Sequence, residues 1–286
     1  MNLAAGTVDR ALSLIVELCA TPSPTGFTKS AEAFLETAIA AAGFTPQRTR
    51  KGSVYACLGG QGHPLVLAAH VDTLGAVVRS IKGNGRLRYS KVGGYPDLNL
   101  VAQTCLIHTR EGKTFSGTFQ PVDASSHVNP KLKELKPDDE NLEILVDERT
   151  RSREETLALG ISPGDMVSLD ARPVLTQSGF LKSRHLDDKA SAGILLALAG
   201  LAGTKDLILG REVFLLFTTY EEVGHGGAVV PAEVEEFLSV DMGAVGDDLG
   251  CDEYKVSICA KDSNGPYDWD MTNALKQAAT RAGCDY

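Results

Sequence analysis

Long apolar runs are missing from this chain of 286 residues. No stretch approaches the roughly 18 consecutive apolar residues of a membrane-spanning helix, so no membrane partner is expected. The N-terminus has no basic region, and Glu17 breaks the apolar run over residues 11–20. That run reads as an amphipathic helix rather than a signal peptide, and the cytoplasm is the expected location. No C-x-x-C pair occurs among the six cysteines (Cys19, Cys57, Cys105, Cys251, Cys259 and Cys284). In a chain this long they read as reduced thiols, which excludes a disulfide frame or a thiolate zinc site. Positive charge is in deficit, with 28 Lys and Arg against 37 Asp and Glu and a net charge of −9, so nucleic acid is not the expected partner. Aromatics are few, at 6%, which leaves little stacking surface for a sugar chain. Internal repeats and low-complexity tracts are absent, and no histidine follows His225.

What remains is an ordinary globular composition, 43% hydrophobic and 23% charged, on a chain long enough for one large domain or two smaller ones. Residues 9–19 carry a helical stripe (Leu12, Ile15, Val16, Cys19), ended by Thr21-Pro22-Ser23-Pro24-Thr25-Gly26. A second helix is expected over 29–42, stopped by Gly43, with strands over 54–58 and 65–69. From Gly75 helical periodicity nearly vanishes. Short β-rich pieces over 76–81, 87–89, 101–109, 114–119, 142–146 and 166–169 alternate with turns, the spacing of a small barrel or sandwich. Residues 121–141 are polar and read as a long surface loop or mobile segment, and 156–160 as a short helix. Helix and strand alternation resumes near Phe180. It predicts a helix over 190–201, a buried parallel strand over 211–217, a Glu-rich helix over 232–236, strands over 237–241 and 255–260, and a last helix over 270–282. The expected division is a first catalytic part over 1–74, an inserted β-domain over 75–177 serving oligomerisation or access, and a second catalytic part over 178–286.

The chemistry concentrates at strand ends. Glu221 and Glu222 follow the strand over 211–217, and two adjacent carboxylates against an apolar wall are costly unless a cation or a shared proton relieves them. Strand alternation would turn the two to opposite faces, leaving one for a metal and one for water. His70 and Asp72 end an earlier strand with side chains on one face, which suits an imidazole oriented by a carboxylate. Asp187 and Asp188 open a helix, and Asp241 ends another strand. His70, Asp187, Glu222 and Asp241 are hard-to-borderline O and N donors, each expected at or just after a strand end of one sheet. Such a set suits two zinc or cobalt ions sharing one carboxylate, with manganese also accommodated. Glu221, beside Glu222, is placed to act as general base toward a metal-bound water.

Ala69-His70-Val71-Asp72, Ser183-Arg184-His185-Leu186-Asp187-Asp188-Lys189, Glu221-Glu222-Val223-Gly224 and Val240-Asp241 together resemble the motifs of the M42 family of metalloaminopeptidases. The resemblance runs from the first helices to Tyr286 and takes in Lys261-Asp262-Ser263-Asn264-Gly265-Pro266. It implies a zinc-exopeptidase-like α/β/α sandwich interrupted by a small β-barrel domain, and a large homo-oligomer, commonly a dodecamer. It also implies two divalent metals, with His70 and Asp241 on one, Glu222 on the other and Asp187 bridging. Glu221 is then the general base that activates the metal-bridging water, Asp72 supports from behind the ligands, and Asp188 orients or charges the site. The implied substrates are short peptides with a free N-terminus. The family's last ligand, a histidine near its C-terminus, has no counterpart here. The sequence therefore reads as C-terminally truncated, without the final strand and helix.

Three alternatives stand beside this reading. One is a metallo-deacylase or carboxypeptidase of the M20 group, which shares the H-x-D, D-D and E-E pairs but carries its extra domain after the later acidic ligand. Here the β-rich insertion lies between Asp72 and Asp187. Another is a catalytically impaired paralogue or assembly subunit. The third is a glycosidase using paired carboxylates.

Overall fold

The computed structural model describes residues 5–231 and 234–286. Helices α1 (Thr7–Ala20) and α2 (Lys29–Ala41) come first, then β1 (Gln47–Arg48), β2 (Val54–Gly59) and β3 (Leu65–His70). Strands β4 (Gly75–Ile81), β5 (Leu87–Val92), β6 (Thr104–His108), β7 (Thr114–Pro121) and β8 (Leu142–Val146) follow, and after the short helix α3 (Arg153–Ala158) comes β9 (Met166–Leu169). A hairpin of β10 (Val174–Leu175) and β11 (Leu181–Lys182) leads into α4 (Leu186–Gly203), β12 (Val213–Thr218), β13 (Glu236–Ser239) and α5 (Trp269–Ala282).

Strands β4 to β9 close into an antiparallel barrel in the order β4-β5-β8-β7-β6-β9, and a five-stranded sheet has the order β1-β2-β12-β3-β13. The α/β architecture with an inserted barrel is therefore the one the sequence predicted. In detail the sheet is mixed: β12 runs parallel to β3 but antiparallel to β2. A buried apolar run serves either direction equally, so its composition does not reveal this.

Alternation along the central strands decides which residues meet the helices. Leu215 and Phe217 of β12 and Ala69 of β3 join Leu18, Leu35 and Leu196 in the core beneath α1, α2 and α4. Leu216, Val66 and Ala68 point to the opposite face with Tyr55, Phe214 and Val234. Both faces being apolar, β12 reads as an unbroken hydrophobic run. The barrel has its own core, in which Tyr89 meets Phe119 edge-on at 5.0 Å. Helix α4 approaches α1 closely at Gly193, where a Cβ would stand 2.5 Å from Ile15 Cγ1. Gly193→Ala is accordingly expected to cost about 1–3 kcal/mol through overpacking, read as a lower Tm with the fold retained.

Several expected elements differ. Of the helix predicted over 232–236, Ala232 and Glu233 lie outside the described residues, Val234 and Glu235 are irregular, and Glu236 opens β13. Residues 255–260 form no strand: all but the half-buried Ile258 lie exposed, and the Val256 N–H is taken by the Asp285 carbonyl at 2.9 Å rather than by a neighbouring strand. A strand needs a ladder partner, and among the described residues this segment has none. The polar segment over 122–141 is tied back to the barrel, since Arg79 pairs with Asp139 at 2.7 Å and with Glu140 at 3.0 Å.

The link from β3 to β4 places the site. Thr73 exchanges backbone hydrogen bonds with the loop after α1, donating to Ser23 at 2.9 Å and accepting from Thr25 at 3.1 Å. Gly75 packs so tightly there that a Cβ would lie 2.5 Å from Pro24 Cβ. The loop from Thr21 to Thr28 is thereby held against the C-terminal end of β3, where the acidic side chains collect.

Candidate metal centre

His70 is the last residue of β3 and only 2% exposed. Its Nδ1 lies 2.9 Å from the Asp72 carbonyl, an arrangement in which Nδ1–H donates and Nε2 is free to face the site. Nε2 lies 3.1 Å from Asp187 Oδ1 and 3.6 Å from Glu221 Oε2. The His70 backbone N–H donates to Asp188 Oδ2 at 2.9 Å.

Asp72 is wholly buried and holds three parts of the site at once. Its carboxylate accepts from Thr25 Oγ1 at 2.7 Å, and from the backbone N–H groups of Glu221 and Glu222 at 3.2 and 3.4 Å. It also lies 3.5 Å from His70 Nδ1. Burial alone would raise its pKa, but the His70 and Thr25 hydrogen bonds win and hold it below the usual carboxylate range. It therefore stays an acceptor.

The two acidic pairs are presented by turns rather than by strands. Glu221–Val223 form a 3₁₀ turn just beyond β12, so strand alternation does not separate Glu221 from Glu222. Asp187 and Asp188 sit in the first turn of α4 with non-helical backbone angles and a cis peptide bond between them. Asp187 thus reaches the site from a helix start, not from a strand end of the main sheet. The residue ahead of each segment, Tyr220 at φ 67° and His185 at φ 68°, is left-handed without being glycine, a conformation that costs about 1–3 kcal/mol and persists only where surrounding contacts impose it. At Tyr220 those contacts are visible. Lys51 Nζ lies 2.6 Å from His225 Nδ1 and also donates to the His225 carbonyl, while the His225 ring stacks on Tyr220 at 5.1 Å.

Two sets of donor atoms converge, His70 with Asp187 and Glu222, and His70 with Asp188 and Asp241; within each, all lie within 4.8 Å of one another. Every sequence-predicted residue is thus in or beside the cluster. Asp188, expected behind the ligands, itself presents an oxygen to one set. The electrostatics are those of carboxylates crowded together without a counter-ion. Burial and then the Asp241 charge raise Asp188 to about 8. Burial, followed by the charges of Asp187, Asp72 and Glu221, raises Glu222 to about 7 against the opposing pull of His70. Burial also raises Asp241 and Glu221. His70 shows the reverse balance. Burial opposes its charged form, yet hydrogen bonds to Asp187 and Asp72 and the Asp188 charge push it up to about 11.

Thr25 belongs to the site although the local sequence does not mark it. Its place in a Pro- and Gly-rich stretch marks only a helix stop, and nothing local says that its hydroxyl reaches a carboxylate 47 positions away. Thr25→Val is expected to weaken divalent-metal affinity about 10- to 100-fold, with metal titration as the readout and a correctly folded circular dichroism spectrum as the control.

Comparison with known proteins places these residues in a family. The M42 glutamyl aminopeptidase family profile matches residues 52–286. YhfE of Bacillus subtilis (strain 168), whose name assigns it provisionally to the aminopeptidases, is 41% identical over 283 residues, covering 98% of this chain and 82% of that protein. The glutamyl aminopeptidase of Lactococcus lactis subsp. cremoris (strain MG1363) is 25% identical over 242 residues, 79% of this chain and 65% of that protein. Among solved structures, the TET aminopeptidase of a marine sediment archaeon, Thaumarchaeota archaeon SCGC AB-539-E09, superposes with a TM-score of 0.87 at 20% identity, over 97% of this chain and 80% of that one. The Pyrococcus horikoshii TET1 peptidase, described as assembling into a tetrahedron or a large octahedral shell, superposes at 0.77 with 22% identity, over 96% of this chain and 82% of that one.

Proposed function

The chain belongs to the M42 glutamyl aminopeptidase family, and from that premise we propose that it is a metal-dependent aminopeptidase releasing the N-terminal residue of short peptides with a free α-amine. The observation that carries the metal-dependent part is the orphaned Asp188 Oδ1, buried with no hydrogen-bond partner beside His70, Asp187, Glu222 and Asp241. A buried carboxylate oxygen without a donor is costly, and a divalent cation is the partner that O and N donors of this kind accept.

In this reading two divalent ions, zinc or cobalt with manganese also suited, would be held here: His70 and Asp241 would hold one, Glu222 the other, and Asp187 would serve both. Asp72 supports from behind, and Asp188, which presents an oxygen beside His70 and Asp241, would add its charge as a further donor. When bound, the ions polarise the scissile carbonyl and make an attacking water more acidic. The chain's own part is proton movement and orientation. Glu221 takes the proton of the attacking water on its carboxylate and returns it to the leaving amine as the C–N bond breaks. Its raised pKa, from burial and then from neighbouring carboxylates, suits a group that both accepts and gives back a proton. Asp72 keeps that base in place through the Glu221 N–H. The barrel within residues 75–177 would serve assembly or access, in a homo-oligomer of the dodecameric kind. No described helix is long and apolar enough to cross a membrane, and a cytoplasmic location completes the reading.

The test is hydrolysis of unblocked short peptides alongside their N-acetylated forms, with zinc or cobalt added and with chelator. The expected result is metal-dependent release of the first residue from free-amine peptides alone. Cleavage of acetylated peptides, or cleavage that chelator leaves untouched, overturns the reading.

A further inference from the structure

Lys189 follows the two aspartates into α4, but its side chain lies in a different environment. It is 1% exposed, and its ammonium donates to the Thr21 carbonyl at 2.5 Å. An ammonium carries three donors and a full charge. Among the described residues no carboxylate lies within 4.0 Å of it, whereas buried Glu143 has both Lys82 and Arg86 as partners. Its position makes the isolation worse: it stands in the first turn of α4, where the helix dipole favours anions and disfavours cations. A buried charge left uncompensated is among the costliest arrangements in a folded chain.

Beside it is a cavity of about 140 Å³, where the end of α1, the loop after it, the β9–β10 link and the start of α4 meet. Pro22, Leu169, Ala171 and Pro173 make much of the wall apolar, and Lys189 supplies a buried cation beside the exposed Arg172, which is engaged by Gln103 at 2.5 Å and by Asp170 at 4.0 Å. The one acid on the lining, Asp170, is engaged by the Thr104 hydroxyl at 2.9 Å. The lining Cys19 thiol is directed to the His185 carbonyl at 3.8 Å.

We propose that this cavity, at the junction of the sheet layer and the barrel, is a binding site for a small monocarboxylate, with the carboxylate on Lys189 and the short apolar end against Ala171 and Leu169. The volume and the mostly apolar wall favour an organic acid over a bare halide, and the uncompensated ammonium supplies the recognition. The proposal does not depend on the metal reading, because none of the converging donors His70, Asp187, Asp188, Glu222 and Asp241 lines the cavity.

The test is thermal unfolding of the full chain in increasing acetate against chloride at equal ionic strength, both metal-loaded and chelator-treated. The expected result is a saturable rise in Tm of a few degrees with acetate that chloride does not match. Ala171→Leu, which fills the cavity and leaves the metal ligands in place, is expected to abolish the rise. Lys189→Met is expected to abolish it too, and to start from a higher Tm in acetate-free buffer because the isolated charge is gone. No saturable rise in the wild type, an equal rise in chloride, or a rise that survives Ala171→Leu overturns the proposal. The last result would place acetate elsewhere, on the bound metals included. Should Lys189→Met not fold, Ala171→Leu decides alone.

Discussion

Glu221→Gln is expected to lower the turnover of an unblocked peptide by about 10²- to 10⁴-fold, the range for loss of a positioned general base, with metal binding retained. The substitution keeps the side chain's shape and removes only its capacity to take a proton. The Glu221 N–H donates to Asp72 through the backbone, so the turn should stay in place. The adjacent substitution separates the roles. Glu222→Gln removes a member of a converging donor set and is expected to reduce metal affinity as well as turnover. The decisive comparison is metal stoichiometry against kcat for the two variants. Full turnover in Glu221→Gln removes it from the role of base, and equal loss of metal in both variants makes the two glutamates one functional unit.

Removing divalent metal is expected to destabilise the chain, and by more as pH rises from about 5 to 8. The sign follows from the buried carboxylates. Asp188 is raised from 3.8 to about 8 and Glu222 from 4.5 to about 7, while His70 is raised from 6.5 to about 11. These groups share protons across one cluster and titrate together. Without metal, the folded chain holds more protons than the unfolded one between about pH 4 and 8. The stability contributed by Asp188 and Glu222 is therefore complete below about pH 4 and lost as pH rises to about 8. His70 continues the loss above pH 6.5. Asp72 acts oppositely, losing its contribution only as pH falls below the usual carboxylate range. A divalent ion displaces those protons, so its affinity grows over the same interval. Metal at 1,000 times its Kd adds about 4 kcal/mol. Thermal unfolding from pH 5 to 8, with zinc or cobalt and with chelator, should show a gap in Tm that widens with pH. A constant or narrowing gap would show that the cluster is not relieved by a cation.

Much of this molecule is legible in the order of its residues. Its two periodicities separate α1, α2 and α4 from β2, β3 and β12, and the loss of helical period at Gly75 marks the start of the barrel strands. These features are legible because burial of one face imposes a local repeat, 3.6 residues on a helix and 2 on a strand. The acidic pairs are legible for a related reason, since adjacent carboxylates beside an apolar run are too costly to be incidental.

Tertiary structure alone decided the rest. Whether β12 runs parallel or antiparallel to β2 depends on the partner, and an apolar run carries no direction. Residues 255–260 have strand-forming side chains, yet form no strand because the described chain beside them, Asp285 included, bonds to them singly rather than as a ladder. Thr25 reaches Asp72, and Lys189 reaches the Thr21 carbonyl, across separations of 47 and 168 residues that no local pattern encodes. Local composition states which groups are expensive to bury. Only the packing of distant segments determines which of them find a partner, and Asp188 Oδ1, buried without one, is where that distinction bears on function.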